Sequence, residues 1–463
     1  MSPEAEPGVR RSEPRRRLWA EILGVAGARA LAALAVLAAG FRAISDDDYA
    51  RVVISERWVA APHLDPSGTS WLPFPFWLMG AAMSALGRSL AIARLASITL
   101  SLVAGVALHG ALAAAGVPRR SRLVGLAALF LLPWTLWTTA ATVPEAPTAA
   151  FVAAAVLLAA LPPARASAVT AVGAGALALA ATLSRYEAWP AAVVVAALLA
   201  RSTRNAVTPG QRAALGAGAL LALAGPCGWM AWNHFSHGSA THFVARVAGY
   251  KRSLGGPQVG ALARAWAYPR LLLVHLPETC ALGALAAVAS ARRGWARRSG
   301  ATVGSEEAPF ARASAASVLA AGAVLAFLVY GNLGDGAPTH HAERALVPAA
   351  FLLVPMGVAE LFAARSPWLR RAAALLAVPA ALLALSRLAH PPGDGEASRA
   401  EQVAEGERLR AAGAPAIRVA PCAYEHFALL AAHAAPERVE VLARRPAAAP
   451  CPAVTIGSAP PSL

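Results

Sequence analysis

Ser45-Asp46-Asp47-Asp48-Tyr49-Ala50-Arg51 sets three carboxylates side by side. Adjacent carboxylates repel one another, which raises at least one pKa unless a cation compensates. A carboxylate tuned this way suits a general base acting on a hydroxyl, and three together suit a divalent cation. The same residues also make a good helix start, since Ser caps and acids favour the positive end of the helix dipole. Glu145, in Thr142-Val143-Pro144-Glu145-Ala146-Pro147-Thr148, has the same two readings: a functional acid, or the first turn of a helix opened by Pro. Arg185-Tyr186-Glu187 offers a guanidinium for phosphate, or a pair that merely closes a helix turn. His340 and His341, in His340-His341-Ala342-Glu343-Arg344, are metal-ligand types, yet consecutive His residues cannot easily share one ion from a helix.

Two further stretches carry polar or aromatic groups. Pro62-His63-Leu64-Asp65-Pro66 precedes Trp71-Leu72-Pro73-Phe74-Pro75-Phe76-Trp77-Leu78, a Trp/Pro/Phe-rich run that favours a membrane–water boundary. His234, His237 and His242 are followed by Arg246, Tyr250, Lys251 and Arg252. With no acidic or Cys partner near in sequence, this segment reads as a basic loop facing an anionic lipid or acceptor, rather than as a zinc site.

The elements that must position these groups are membrane helices. Of 463 residues 57% are hydrophobic and 14% charged, against about 25% charged in soluble domains. Apolar blocks reach the roughly 20 residues needed to cross a bilayer. They fall at about 18–44, 89–116, 122–138, 146–161, 167–184, 187–200, 213–232, 269–290, 313–331, 345–364 and 371–389. The first is too long for a signal-peptide core, so it reads as an uncleaved helix behind a basic N-terminus at 1–17. The net charge of +16 comes from Arg in the connections, with no groove-reading motif, which argues against nucleic-acid binding. Arg119 to Arg122, Arg165, Arg201 to Arg212, Arg292 to Arg298 and Arg365 to Arg371 all fall on one side of this topology. By the positive-inside tendency that side, and the N-terminus, are cytoplasmic. The segments 45–88, 139–146, 233–268 and 332–344, and the tail after about 390, then lie outside. The tail is long enough for a small α/β appendage, and Cys422 and Cys451 within it have a location that permits a disulfide.

Pro73-Phe74-Pro75-Phe76-Trp77-Leu78, then Gly87-Arg88-Ser89, then Ala93-Arg94-Leu95-Ala96-Ser97 resemble the protein O-mannosyltransferase and aminoarabinose-transferase superfamily. In that superfamily an acidic pair ending the first span precedes such a stretch, and these are membrane glycosyltransferases of the GT-C fold. The resemblance covers about residues 40–160 and implies an all-α polytopic bundle of about eleven transmembrane helices (18–389) with an external C-terminal segment (390–463).

It further implies transfer of a sugar from a polyprenyl-phosphate donor to an acceptor hydroxyl (on a glycan, lipid or protein) at the outer face of a bacterial-type inner membrane. The family's acidic pair falls within Asp46, Asp47 and Asp48, with Asp47 the expected base and Asp46 the next choice. Its second acidic position matches Glu145, here Glu in place of Asp, and Arg344 matches an Arg that binds the carrier phosphate. His63, Trp71, Arg94, Arg185, Glu187, His340 and His341 complete the expected substrate-binding set. No metal is expected, since monophosphate-donor members do not generally require one, although three adjacent Asp leave a divalent cation open. The competing class is a transporter or flippase of a lipid-linked or anionic substrate. Against it, the acids cluster at one surface rather than at the midplane, and no internal repeat is visible.

Overall fold

The computed structural model describes residues 15–253, 260–299, 308–334, 341–364, 367–388, 399–413, 417–421, 423–442 and 455–458. The chain opens with α1 (Arg15–Ala38), α2 (Asp46–Ala60), α3 (Phe74–Leu86), α4 (Leu90–Ala114), α5 (Arg119–Phe130) and α6 (Pro133–Ala140). It continues through α7 (Glu145–Ala159), α8 (Ala168–Thr182), α9 (Ala188–Thr203), α10 (Pro209–His237), α11 (His242–Ser253) and α12 (Ala261–His275). Then come α13 (Pro277–Arg298), α14 (Ala308–Leu333), a 3-10 turn at Ala342–Leu346, α15 (Val347–Ala363) and α16 (Pro367–Leu388). The C-terminal part holds α17 (Ala400–Ala411), β1 (Ile417–Ala420), α18 (His426–His433), β2 (Val439–Val441) and β3 (Thr455–Ser458).

Each expected span falls on helical residues, but they are not eleven equivalent crossings. Among the described residues five helices are long and apolar enough to cross a membrane, two more candidates are bent pairs, and four apolar helices are shorter. The expected single spans 122–138 and 269–290 are both broken: α5 and α6 meet at 71°, α12 and α13 at 103°. The cause is the same in each. Pro133 and Pro277 sit at the break, and the residue before a proline is pushed out of the helical region. Leu132 accordingly has ψ 134°, and Leu276 has φ −137°, ψ 50°. The stretch 45–88 is not an extended loop either. It folds into α2 and α3, so the helix-start reading of Ser45 to Asp48 holds alongside any functional one. Likewise 233–268 is largely helical, because α10 runs on to His237 before α11 begins.

At the centre lies α7, buried along nearly its whole length and packed against α4, α8, α9 and α15. Its Ala-rich surface lets neighbours approach closely, the usual device where lipid offers no hydrophobic drive between helices. α8 and α10 come closer still: a Cβ at Gly175 would lie 2.3 Å from the Gly218 carbonyl oxygen. Connections gather at two ends. At one, Glu21 of α1 receives Arg122 at 2.7 Å and is also bonded by Arg119, while Gln211 donates to the Pro163 and Ala166 carbonyls. The other end collects the starts of α2, α7, α9 and α15. The chain is a multi-pass helical membrane protein.

The C-terminal part is a small α/β unit. β1 pairs with β2 in parallel and with β3 antiparallel. It does not stand apart from the bundle. Leu409, Ile417, Val419 and Ala428 to Ala431 share one hydrophobic core with Tyr49, Val52 and Val53 of α2 and Phe76, Met79 and Met83 of α3. α2 is therefore the floor on which this appendage sits.

Glu56 of α2 lies within that floor, 0% exposed, with neither carboxylate oxygen hydrogen-bonded. Burial pushes it well above the ordinary value of 4.5, against the pull of Arg88 and Arg410. An acid whose folded pKa exceeds its unfolded one makes the native state bind more protons, so stability falls as pH rises from the unfolded value through the folded one. The wild-type Tm is thus expected to decline as pH rises above the ordinary carboxylate range, through the raised value of Glu56. A Glu56→Gln protein should show a flatter profile and the higher Tm at the alkaline end. Thermal unfolding of the two proteins in detergent across that range checks it; parallel profiles would contradict the assignment.

Candidate active site

Ser45 caps α2, and adjacent helical residues project about 100° apart. The three Asp side chains consequently go to three different partners. Asp48 turns inward: Oδ2 accepts from the backbone N–H of Ile44 (3.1 Å) and Ser45 (3.2 Å), and Oδ1 from the N–H of Thr142 (3.0 Å). The Thr142 hydroxyl adds a bond to the Asp48 carbonyl at 2.8 Å. Burial pushes the Asp48 carboxyl up, while Arg344 and those backbone donors pull it down. Asp48 thereby ties the start of α2 to the turn before α7. Its removal leaves buried donors unmet, and an Asp48→Ala change is expected to cost about 2 to 4 kcal/mol of stability. Chemical or thermal unfolding measures this; a variant as stable as wild type would remove Asp48 from the framework.

Asp46 faces the appendage. Arg399, just before α17, grips it with two parallel bonds of 2.9 and 3.0 Å. Asp47 points elsewhere: its side chain is 38% exposed and its Oδ2 lies 3.2 Å from Nη2 of Arg344, which is 6% exposed. The mutual repulsion foreseen for three adjacent acids is thus relieved separately, by Arg399, by Arg344 and by backbone donors.

Arg344 lies in the 3-10 turn that enters α15, where its Nε is 3.7 Å from Glu145. Glu145 opens α7, is 2% exposed, and pairs with Arg185 at 2.8 Å. Arg185 in turn holds Glu187 through bonds of 3.0 and 2.6 Å. Asp47, Arg344, Glu145, Arg185 and Glu187 therefore form one continuous chain of charges, drawn from four separate stretches of sequence. A cavity of about 10 Å³ lies among Glu145, Thr148, Arg185, Glu187 and Arg344, room for roughly one water.

Arg51 joins this network, and the sequence reading missed it. Completely buried, it lies over the rings of Trp71 (4.4 Å) and Phe76 (5.5 Å), with Glu145 and Asp47 supplying favourable charge. Burial pushes it down to about 10, so it stays a cation at neutral pH. Arg51 stands four residues after Asp47, one helical turn. That signal is legible only if the stretch is taken as a helix rather than as a loop.

Three guanidiniums (Arg51, Arg185, Arg344) and three carboxylates (Asp47, Glu145, Glu187) balance in formal charge. Their hydrogen bonds do not. Nε and Nη1 of Arg51, Nε and Nη1 of Arg344, and Oε2 of Glu145 are buried without a hydrogen-bond partner. Buried donors of this kind are costly unless something is to be bound. Permanently charged, forked donors match the oxygens of a phosphate.

The remaining expected site residues are distributed differently. Trp71 reaches the network through Arg51. Arg94 donates to the Arg42 carbonyl at 2.7 Å, bracing the approach to α2. His63 is exposed beyond the far end of α2 and bonds the Ala61 carbonyl at 2.6 Å, away from the charged chain. His341 adopts a left-handed backbone (φ 47°), lies 3.5 Å from Glu343 and packs beside Trp134. His340, Cys422 and Cys451 lie outside the described residues. Among the described residues no three His, Cys, Asp or Glu side chains converge as ligands for one metal ion. His237 and His242 stack at 4.3 Å rather than joining such a group.

No protein family and no curated protein sequence matches this chain. Among solved structures it is similar to ArnT from Cupriavidus metallidurans in the apo state, with a TM-score of 0.51 at 16% identity over 91% of this chain and 75% of that one. The same protein bound to undecaprenyl phosphate gives 0.47 at 17% identity over 89% and 75%. The archaeal oligosaccharyltransferase AglB from Archaeoglobus fulgidus, in complex with an inhibitory peptide and a dolichol-phosphate, gives 0.46 at 13% identity over 86% and 58%. The first of these likenesses establishes the architecture, and it agrees with the resemblance read from Asp46 to Ser97. The chain is a polytopic helical membrane protein of the GT-C fold.

Proposed function

We propose that this protein is a membrane glycosyltransferase that moves a sugar from a polyprenyl-phosphate carrier to an acceptor hydroxyl. The observation that carries the reading is the pair of buried guanidiniums, Arg51 and Arg344, with four unmet donor atoms beside the accessible carboxylate of Asp47. A phosphate leaving group needs such donors, and a nucleophilic hydroxyl needs such a base.

In this scheme the acceptor oxygen forms a bond to the anomeric carbon while the bond from that carbon to the phosphate oxygen breaks. The hydroxyl proton passes to Asp47, and the bonding electron pair leaves with the polyprenyl phosphate. Arg344 and Arg185 hold the phosphate charge as it grows, and Arg51 supports it from beneath. Attack opposite the leaving group inverts the anomeric centre. Glu145 sets the positions of Arg185 and Arg344 and keeps three cations in one buried place from repelling each other. Asp46 and Asp48 act through structure, one tethering the appendage and the other anchoring α2. The acidic end faces away from the cytoplasm, because the Arg-rich connections gather at the opposite end of the bundle.

The test is transfer by the purified protein in lipid nanodiscs, supplied with radiolabelled polyprenyl-phosphate sugars and candidate acceptors. Label moving covalently from lipid to acceptor is the expected result. Label that only changes leaflet, with the carrier bond intact, would establish a flippase instead.

A further inference from the structure

The cavity of about 10 Å³ beside Glu145 is lined by Thr148 as well, and this threonine is unlike two others nearby. A helical threonine commonly turns its hydroxyl back onto the carbonyl four residues earlier. Thr138 and Thr139 of α6 do so, donating to the Trp134 and Thr135 carbonyls at 2.6 Å each. Thr148, in the first turn of α7 and 1% exposed, does not: its Oγ1 is buried with no hydrogen-bond partner. It stands three residues after Glu145, on the same face of the helix. Three unanswered groups of different character thus border one space. Glu145 Oε2 only accepts, its Oε1 being held by Arg185. Arg344 Nε, 3.7 Å from that Oε1, only donates. The Thr148 hydroxyl does either.

Their chemistry selects the occupant. The volume admits about one oxygen atom. Arg185 and Arg344 against Glu145 and Glu187 leave the lining without net charge. A phosphate oxygen would meet the bare Glu145 Oε2 with like charge, and an ammonium would meet the bare donors of Arg344. A neutral hydroxyl answers all three, giving its proton to Glu145 and accepting from Arg344 and Thr148. Position says whose hydroxyl it is. The Arg344 guanidinium also donates from Nη2 to Asp47 at 3.2 Å, and its Nη1 remains for the phosphate. One guanidinium therefore separates the cavity from the proposed base, and the sugar under transfer can reach both.

We infer that this cavity is a subsite for one hydroxyl of the transferred sugar, with Thr148 a specificity-determining residue. The word transferred rests on the function proposed above; binding of the sugar hydroxyl does not. A water satisfies the same three groups between substrates. A water that stays when the sugar binds is the competing occupant, and the test separates the two.

Full-length protein in lipid nanodiscs, given no acceptor, is titrated calorimetrically with short-chain polyprenyl-phosphate mannose, glucose, galactose and xylose. The tightest of these is then replaced by each of its monodeoxy analogues. One deoxy position is expected to weaken binding by at least about tenfold, because it leaves charged groups unanswered. Thr148→Val keeps the shape of the side chain and loses the hydroxyl. It should weaken the parent sugar by about tenfold and that one analogue by less than about twofold. Thr148→Ser should bind as wild type. Should Thr148→Val fail to fold, Thr148→Ala decides by the same comparison. Equal binding of every deoxy analogue, or a Thr148→Val loss that is the same for parent and analogue, leaves only water in the cavity and overturns the inference. Failure of all four sugars to bind overturns it too. Coupled binding with no covalent transfer to any acceptor would instead overturn the proposed reaction and leave the subsite standing.

Discussion

Asp47→Asn is expected to lower sugar transfer by about 10² to 10⁴-fold, the usual contribution of a general base, with KM for the lipid donor little changed. The amide keeps the shape of the carboxylate and loses its ability to take the hydroxyl proton. Because Asp47 is 38% exposed and its partner Arg344 retains Glu145 nearby, the fold should survive, and thermal unfolding should show Tm within a few degrees of wild type. The neighbours supply the contrast. Asp46→Asn weakens the tether to Arg399 and should reduce transfer far less. Asp48→Asn should act mainly through stability. Initial rates for the three variants, each with its unfolding curve, separate these roles; transfer undiminished in Asp47→Asn would remove it as the base.

Arg344→Gln is expected to lower kcat by about 10² to 10³-fold, the scale seen when one preorganised donor to a developing oxyanion is lost. Here the loss has two parts. The phosphate loses a permanently charged, buried fork, and Glu145 loses one of its flanking cations. Arg344→Lys should recover only a small fraction, since an ammonium cannot present the paired, planar donors of a guanidinium. Pre-steady-state measurement of a single turnover shows whether the chemical step itself has slowed. A kcat equal to wild type in Arg344→Gln, with only KM raised, would reassign Arg344 from the departing phosphate to binding of the carrier in its ground state.

Much of the architecture was legible beforehand because membrane helices announce themselves. A long apolar run must satisfy its own backbone within the lipid, so it is helical whatever surrounds it. Arg between the runs sets their alternation. The two breaks were also written locally, in Pro133 and Pro277, but were passed over because hydropathy counts apolar length and is blind to a missing N–H. Taking 45–88 as a loop had the larger consequence. A loop gives no reason to relate Asp47 to Arg51, whereas a helix places them one turn apart.

The sequence by itself determined that this is a many-helix membrane protein, and its loop charges set Asp46 to Asp48, Glu145, Arg185 and Arg344 at the end opposite the Arg-rich connections, as candidates for the site. Which Asp faces solvent beside an Arg was decided only in three dimensions, since adjacent residues on one helix point about 100° apart and partners elsewhere choose among them. Arg399, which takes Asp46, lies 353 residues away; Arg344, which takes Asp47, lies 297 away. The same holds for the appendage, whose apolar residues find α2 and α3 rather than one another alone. Pairings over such separations leave no periodicity in the chain. Burial within the bundle gives them their strength, because a charge removed from water must meet its opposite.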